Sequence, residues 1–375
     1  MGVHMLRILA IALSVSAATL HAADDQKVRV YFGTYTGRGS EGIYLAELDL
    51  KTGHLSQPQL AGKVTNPSFL SKHPTKPLLY AVSEVATSEG KKGGGVTAFK
   101  IEPGTGLLTR INSQPCGGAG PCHLSVDATG QCVLVANYSA GSVSSLPIKD
   151  DGSLGEVVSY IKHEGKSVNK QRQEAPHAHS INVDAANRFA IAADLGTDEL
   201  LVYQLDPTKA SLTPHGTTKT PPGGGPRHFA FHPQGKFAYS NNEMTSSVSS
   251  YRYDAEIGKL TLLDTVTTLP HDVAGNSTAE IRVHPSGQFV YVSNRGHNSI
   301  ALFKVKDDGT LTPQGHFSTE GKTPRNFNLF GKYLLAANQD SGDVFAFAID
   351  ESTGKLSPTG SSIKVSVPVC VLFVK

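Results

Sequence analysis

Tryptophan is absent from this 375-residue sequence, methionine occurs three times and cysteine four times. Without tryptophan, no repeat can be built on a Trp-Asp dipeptide. Four cysteines are too few for a disulfide-dense scaffold, and the spacing of Cys116, Cys122, Cys132 and Cys370 matches no zinc site. Cys116 and Cys122 flank a glycine-rich turn and could pair, whereas Cys132 and Cys370 read equally well as buried thiols in strands. Charge is sparse, at 18% of residues, and nearly balanced: 34 basic against 32 acidic side chains, net +2. With no basic block, an electrostatic nucleic-acid surface is excluded. No 3.6-residue apolar period stands out, so helices are not expected. Beyond the N-terminus, no apolar run approaches the roughly 20 residues of a membrane span.

Glycine (38) and proline (21) are abundant, together 59 residues or about 16% of the chain, against roughly 12% on average. They cluster every few tens of residues, the pattern of many strands joined by turns. At this length, with 39% apolar residues, a sizeable core needs no metal or disulfide. The N-terminus stands apart. Residues 6–20 (LRILAIALSVSAATL) form an apolar run with His4 and Arg7 as its basic side chains, and small residues follow at Ala22 and Ala23. The pattern reads as a secretory signal peptide over residues 1–22. It leaves a mature domain, 23–375, that is exported to the periplasm or secreted and is free of the membrane after cleavage.

Internal repetition is the main signal. A strand-like run ending in a polar residue recurs at 31–34 (YFGT), 81–84 (AVSE), 134–137 (LVAN), 191–194 (IAAD), 239–242 (YSNN), 291–294 (YVSN) and 335–338 (LAAN). The final residues are 50, 53, 57, 48, 52 and 44 positions apart. Asp-Gly and Thr-Gly turns, such as 149–152 (KDDG) and 350–354 (DESTG), supply the positive φ of tight connections. A further strand opens some 14–18 residues before most copies, usually at proline: 66–69 (NPSF), 120–123 (GPCH), 175–179 (APHAH), 225–228 (GPRH), 278–282 (TAEIR) and 323–326 (TPRN). Each unit is therefore about four short strands, so the fold class is all-β: a seven-bladed β-propeller with four-stranded blades. The first unit lacks its opening strand, and 367–374 (VPVCVLFV) looks like the missing one. The ring is expected to close by pairing its N- and C-terminal strands.

These motifs, with 32–36 (FGTYT), 193–198 (ADLGTD) and 293–295 (SNR), make the chain resemble the seven-bladed lactonase family. That family includes propeller-type 6-phosphogluconolactonases and 3-carboxymuconate cyclases. The resemblance spans roughly residues 28–374 and implies a hydrolase that opens a lactone, most like 6-phosphogluconolactonase. A muconate-type lactonizing cyclase and a non-enzymatic binding propeller are the rival expectations, because a propeller alone does not decide function. The family implies no metal or other cofactor, and none is expected. The expected partner is a small anionic lactone, and the chain is expected to be a monomer.

Residues at equivalent points of successive blades converge on the axis. One column follows the opening proline: Cys122, His179, Arg227 and Arg325, with His123 and His228 alongside. Another follows the strand-ending polar residue: Tyr35, Tyr138, Leu195, Glu243, Arg295 and Gln339. Glu243 and Arg295 depart from the neutral residues usual there. By motif, the resemblance carries catalytic roles to His179, Glu243, Arg227 and Arg295, with Arg282 as a competing match for Arg295. Arg325, His177, His228 and Asp194 are candidate substrate contacts. An imidazole can accept a proton at neutral pH, whereas arginines would depress a neighbouring glutamate. His179 is therefore the expected base, and Glu243 its orienter or a water ligand. The arginines suit a phosphate or carboxylate. His73, His232 and His284, each followed by proline, are expected to be structural, as is most of the column Asn137, Asp194, Asn242, Asn294 and Asn338, capping turns through side-chain–backbone hydrogen bonds.

Overall fold

A computed structural model describes residues 26–88 and 90–375. The expected signal peptide lies outside the described residues. Seven four-stranded antiparallel sheets surround one axis, and no helix occurs among the described residues. The innermost strands, in blade order, are Pro368–Val374, Leu70–Lys72, Pro121–Val126, Ala178–Val183, Pro226–Phe231, Ser277–Val283 and Pro324–Phe330. Each touches the next around the ring. Blade 1 joins both ends of the chain: Pro368–Val374 pairs with Lys27–Thr34, with Tyr31 opposite Leu372. The expected closure is present.

Burial explains the sequence pattern. The second strand of a blade is packed on both faces by its neighbours. Leu78–Ser83, Cys132–Asn137 and Phe189–Asp194 are buried throughout, so they read as continuous apolar runs rather than alternating ones. Outermost strands such as Ser211–Lys219 are mostly exposed or half-buried, and correspondingly polar.

Adjacent blades are clasped by a repeated hydrogen bond. The hydroxyls of Tyr31, Tyr80, Tyr239 and Tyr291 donate to Gly106, Gly152, Gly309 and Gly354 carbonyls in the next blade, at 2.6, 3.1, 3.1 and 2.8 Å. His73 and His232 reach the Gly130 and Gly287 carbonyls from Nε2, at 3.1 and 2.9 Å. These histidines are framework, as the sequence suggested. So are the strand-ending amides: Asn137 and Asn242 each donate to two serine hydroxyls of the adjoining strand, at 2.9–3.1 Å. All four cysteines are buried free thiols. The possible Cys116–Cys122 pairing is not made, because Cys116 turns toward Asn137 Oδ1 (3.2 Å) and Cys122 toward the axis.

Candidate active site

The innermost strands begin at one end of the channel, and there each of six blades breaks register by a β-bulge. The shifts fall between Pro121 and His123, Ala178 and Ser180, Pro226 and Phe229, Thr278 and Ile281, and Pro324 and Asn326, with the matching one in blade 1 at Gly33 and Thr34. A bulge leaves one residue out of the ladder and re-aims its side chain. The residues freed in this way include Cys122, His179, Arg227 and Arg325. In blade 5 both Arg227 and His228 stand opposite Asn241, and in blade 6 Ala279 and Glu280 stand opposite Ser293. The freed backbone N–H groups are satisfied by side chains: His228 N–H donates to Asn241 Oδ1 (3.1 Å) and Glu280 N–H to Ser293 Oγ (3.0 Å). Positive φ at Gly120 and Gly225, just before the opening prolines, turns the chain into these strands.

The upper layer of the mouth is built on Glu243. Its Oε2 lies 3.0 Å from both Arg227 Nε and Arg295 Nη2, and its Oε1 accepts Arg172 Nη2 at 2.9 Å. Burial raises the Glu243 carboxyl, but Arg295, Arg227 and Arg172 pull it the other way, down to about 2. Arg227 also donates to the Ala279 carbonyl, and Arg295 to that of Thr278 at 3.0 Å. Burial, with Arg325 and Arg295 nearby, lowers the Arg227 guanidinium to about 10, so it stays charged at neutral pH. Arg325 Nη2 donates to Tyr35 OH (3.1 Å), which donates to Glu84 Oε2 (2.9 Å). The four guanidiniums (+4) against Glu243 and Glu84 (−2) leave a local charge of +2. Donors remain free: Arg227 Nε sits beside Glu243 without pointing at it, and Arg295 Nε has no hydrogen-bond partner.

The imidazoles lie around and beneath this layer. His177 is at the rim, stacked on Tyr138 with centroids 4.5 Å apart. His179 is buried, with Nδ1 3.7 Å from Cys122 Sγ and its ring 5.3 Å from Tyr138 and 5.4 Å from His228. Burial, then Arg227, His228 and Arg325, hold His179 well below the usual imidazole range, so it is neutral at pH 7. His228 is in a lower layer, its Nδ1 donating to Glu280 Oε1 at 3.0 Å. His179 and His228 thus meet edge to face while His177 stands apart on Tyr138, and among the described residues no three His, Cys, Asp or Glu side chains are grouped to hold a metal ion.

Arg227, Glu243 and Arg295 are in direct contact, and His179 is close enough to feel the charges of Arg227 and Arg325. Arg295, not Arg282, reaches Glu243; Arg282 Nη2 lies 3.4 Å from Glu280 Oε2 instead. Two expectations need correction. Glu243 does not orient His179, because three guanidiniums occupy its carboxylate. Asp194 does not face a ligand: it is fully buried, Oδ1 accepts the N–H groups of His177, Gly196 and Thr197, and Oδ2 contacts His163 Nδ1 at 2.6 Å.

Sequence reasoning missed Arg172 and Glu280. Arg172 lies in the longest interval between repeat copies, the 57 residues from Asn137 to Asp194, and that length was its signal. Glu280 occupies the His123 and His228 column one blade on, in an opening that lacks proline. A separate cavity of about 460 Å³ lies off-axis between blades 1 and 2, lined in part by Thr36, Lys63, Ser83 and Thr97. It contains no imidazole and none of the mouth arginines, so the reactive groups are not there.

The sequence profile of a family described as "Lactonase, 7-bladed beta-propeller" matches residues 29–373. A 6-phosphogluconolactonase of Bacillus subtilis is 40% identical over 348 residues, covering 92% of this chain and 97% of that one. A protein of the same name from Formosa agariphila is 33% identical over 346 residues, covering 90% and 97%. The solved structure of a periplasmic gluconolactonase from Pseudomonas aeruginosa superposes with a TM-score of 0.86 at 32% identity, covering 93% of this chain and 99% of that one.

Proposed function

The chain belongs to the seven-bladed β-propeller lactonase family, and from that premise we propose that it hydrolyses an anionic sugar lactone, most like 6-phosphogluconolactonase. The observation that carries the choice of an anion is the guanidinium excess at the mouth: Arg172, Arg227, Arg295 and Arg325 outnumber the carboxylates near them. Arginine presents planar, paired donors that suit phosphate and carboxylate oxygens.

The chemistry follows from the layers. Water attacks the lactone carbonyl, and the charge that develops on oxygen needs donors already in place. Arg227 and Arg295 supply them, held at fixed angles by Glu243 and by backbone carbonyls. The half-exposed Arg172, and Arg325, which has no direct ion pair with Glu243, are suited to the phosphate or a second anionic group. Glu243, held at about 2, is too weak a base at neutral pH, so the proton of the attacking water goes to a neutral imidazole. The apolar run at 6–20 and the periplasmic relative support export, which places the reaction on lactones met outside the cytoplasm.

Turnover of 6-phosphogluconolactone and of the unphosphorylated lactone, followed by acid release in a pH-stat, tests this. The phosphorylated substrate is expected to show the lower KM. Equal KM for both would remove the argument for a phosphate subsite, and no turnover of either would defeat the hydrolase assignment.

A further inference from the structure

A general base works best when a third group fixes its orientation and tautomer. One such pairing lies on the innermost strands beneath the arginine layer, and it does not involve His179. His228 Nδ1 lies 3.0 Å from Glu280 Oε1. Glu280 is itself held by Ile281 N–H at 3.0 Å, by the Asn326 amide and by Arg282 at 3.4 Å. An ionised carboxylate claims the Nδ1 proton, which leaves Nε2 as the accepting nitrogen. That Nε2 has no hydrogen-bond partner among the described residues, and 6% of the side chain remains exposed. His163 makes the contrast. Its Nδ1 is on Asp194 at 2.6 Å and its Nε2 on Tyr203 OH at 2.7 Å, so both nitrogens are spent. His228 also follows Arg227 directly within one bulge, so the imidazole and an oxyanion donor come from the same backbone distortion.

Building on the lactonase assignment, we infer that His228 is the catalytic base that activates the attacking water and that Glu280 is its positioning residue, with His179 a neighbour rather than the base. In the step, a water O–H proton passes to His228 Nε2 as the water oxygen bonds to the lactone carbonyl carbon. The tetrahedral oxyanion collapses, the carbon–oxygen bond of the ring breaks, and the imidazolium returns its proton to the departing ring oxygen as a hydroxyl. Burial, then Glu280, Arg227 and Arg282, set the titration of His228; its ring neighbours His123 and His179, from blades 3 and 4, are themselves held well below the usual imidazole range and are neutral at pH 7.

The test compares pH profiles of kcat/KM for the wild type, His228→Ala, His179→Ala and Glu280→Gln. His228→Ala is expected to lose on the order of 100-fold in kcat, the lower range for general-base catalysis, and to regain part of it when imidazole is added. Glu280→Gln should lower kcat with little change in KM and move the acidic limb to lower pH, because the carboxylate no longer raises the imidazole. His179→Ala should leave that limb in place. Should Glu280→Gln fail to fold, imidazole rescue of His228→Ala decides the matter. A His228→Ala variant within a few-fold of an active wild type overturns the base assignment alone. A wild type that opens no lactone overturns both assignments.

Discussion

Glu243 and Glu280 are buried carboxylates on adjacent blades, both held ionised at about 2, yet they are surrounded differently. Glu243 faces three guanidiniums and sits in a region of surplus positive charge. Glu280 faces one imidazole, one distant guanidinium, an amide and a backbone N–H. The first holds several donors apart at fixed angles around a space for an anion. The second fixes the tautomer of a single ring. A strongly depressed carboxyl therefore does not identify a role by itself; the partners do.

The sharpest way to break this contrast is Glu243→Gln. Removing the charge leaves Arg227 and Arg295 buried without their counter-ion, and breaking one side of such a pair costs about 3–5 kcal/mol. Denaturant unfolding should show that loss, together with the largest fall in kcat/KM of any single change in the upper layer. A variant with unchanged stability would mean that the guanidiniums are held by their backbone carbonyls alone.

Acid sharpens the contrast next. Both folded carboxyls lie below their ordinary 4.5, so their contribution is complete above that pH and is lost only as pH falls toward about 2. His228 behaves differently. Burial first, with Arg227 and Arg282 opposing Glu280, pushes it from 6.5 to about 4. The unfolded chain then takes up that proton earlier than the folded one, so stability is full above pH 6.5 and falls as pH drops toward 4, by ~3 kcal/mol. His123 and His179 act in the same direction. Melting temperature should therefore already decline between pH 6.5 and 4.5, before the glutamate contribution begins to be lost, and a flat profile across that window would contradict the buried neutral imidazoles.

How far the sequence revealed these layers depends on how each was built. The ring was readable because its parts repeat. The closing strand expected at 367–374 is Pro368–Val374, and the strand-ending amides are framework, although Asn137 and Asn242 bond serine hydroxyls of the adjoining strand and not the turn backbone. Glu243 and Arg295 were visible as departures from a column of neutral residues. The bulges were not visible, since a shift of one residue in register leaves no mark in composition, yet they are what bring His179, Arg227 and Arg325 to the axis. Glu280 was hidden because Thr278 stands where most of the other opening strands have proline. Asp194, read both as part of the framework column and as a candidate substrate contact, is framework: its carboxylate accepts three backbone N–H groups, where Asn137 and Asn242 donate to serine hydroxyls.

Within the upper layer Arg325 and Arg172 should separate binding from reaction. Arg325 is half-buried against Tyr35, with its guanidinium 5.4 Å from the ring centroid, and has no direct ion pair with Glu243. A charge-assisted hydrogen bond to an anion is worth about 2 kcal/mol, so Arg325→Ala should raise KM about 30-fold and leave kcat within about threefold. If kcat falls and KM does not, Arg325 acts on the reacting carbonyl and not on the anionic substituent.

Arg172 gives the smallest and most selective effect. Its side chain is 45% exposed, and it reaches the mouth from the long interval that precedes blade 4, donating to Glu243 Oε1 and to Tyr138 OH (3.1 Å). Glu243 keeps Arg227 and Arg295 when Arg172 is lost, so no buried charge is stranded. An exposed pair contributes about 0.2–1 kcal/mol, which sets the expected stability change for Arg172→Ala below about 1 kcal/mol. An anion that Arg172 contacts would lose a similar amount, so KM for the phosphorylated lactone should rise about threefold to fivefold, and KM for the neutral lactone should barely move. That difference between substrates is the decisive reading. A uniform rise for both would make Arg172 a brace for Glu243, and the upper layer would then resemble the lower one, a carboxylate and its supports with no outer contact for the ligand.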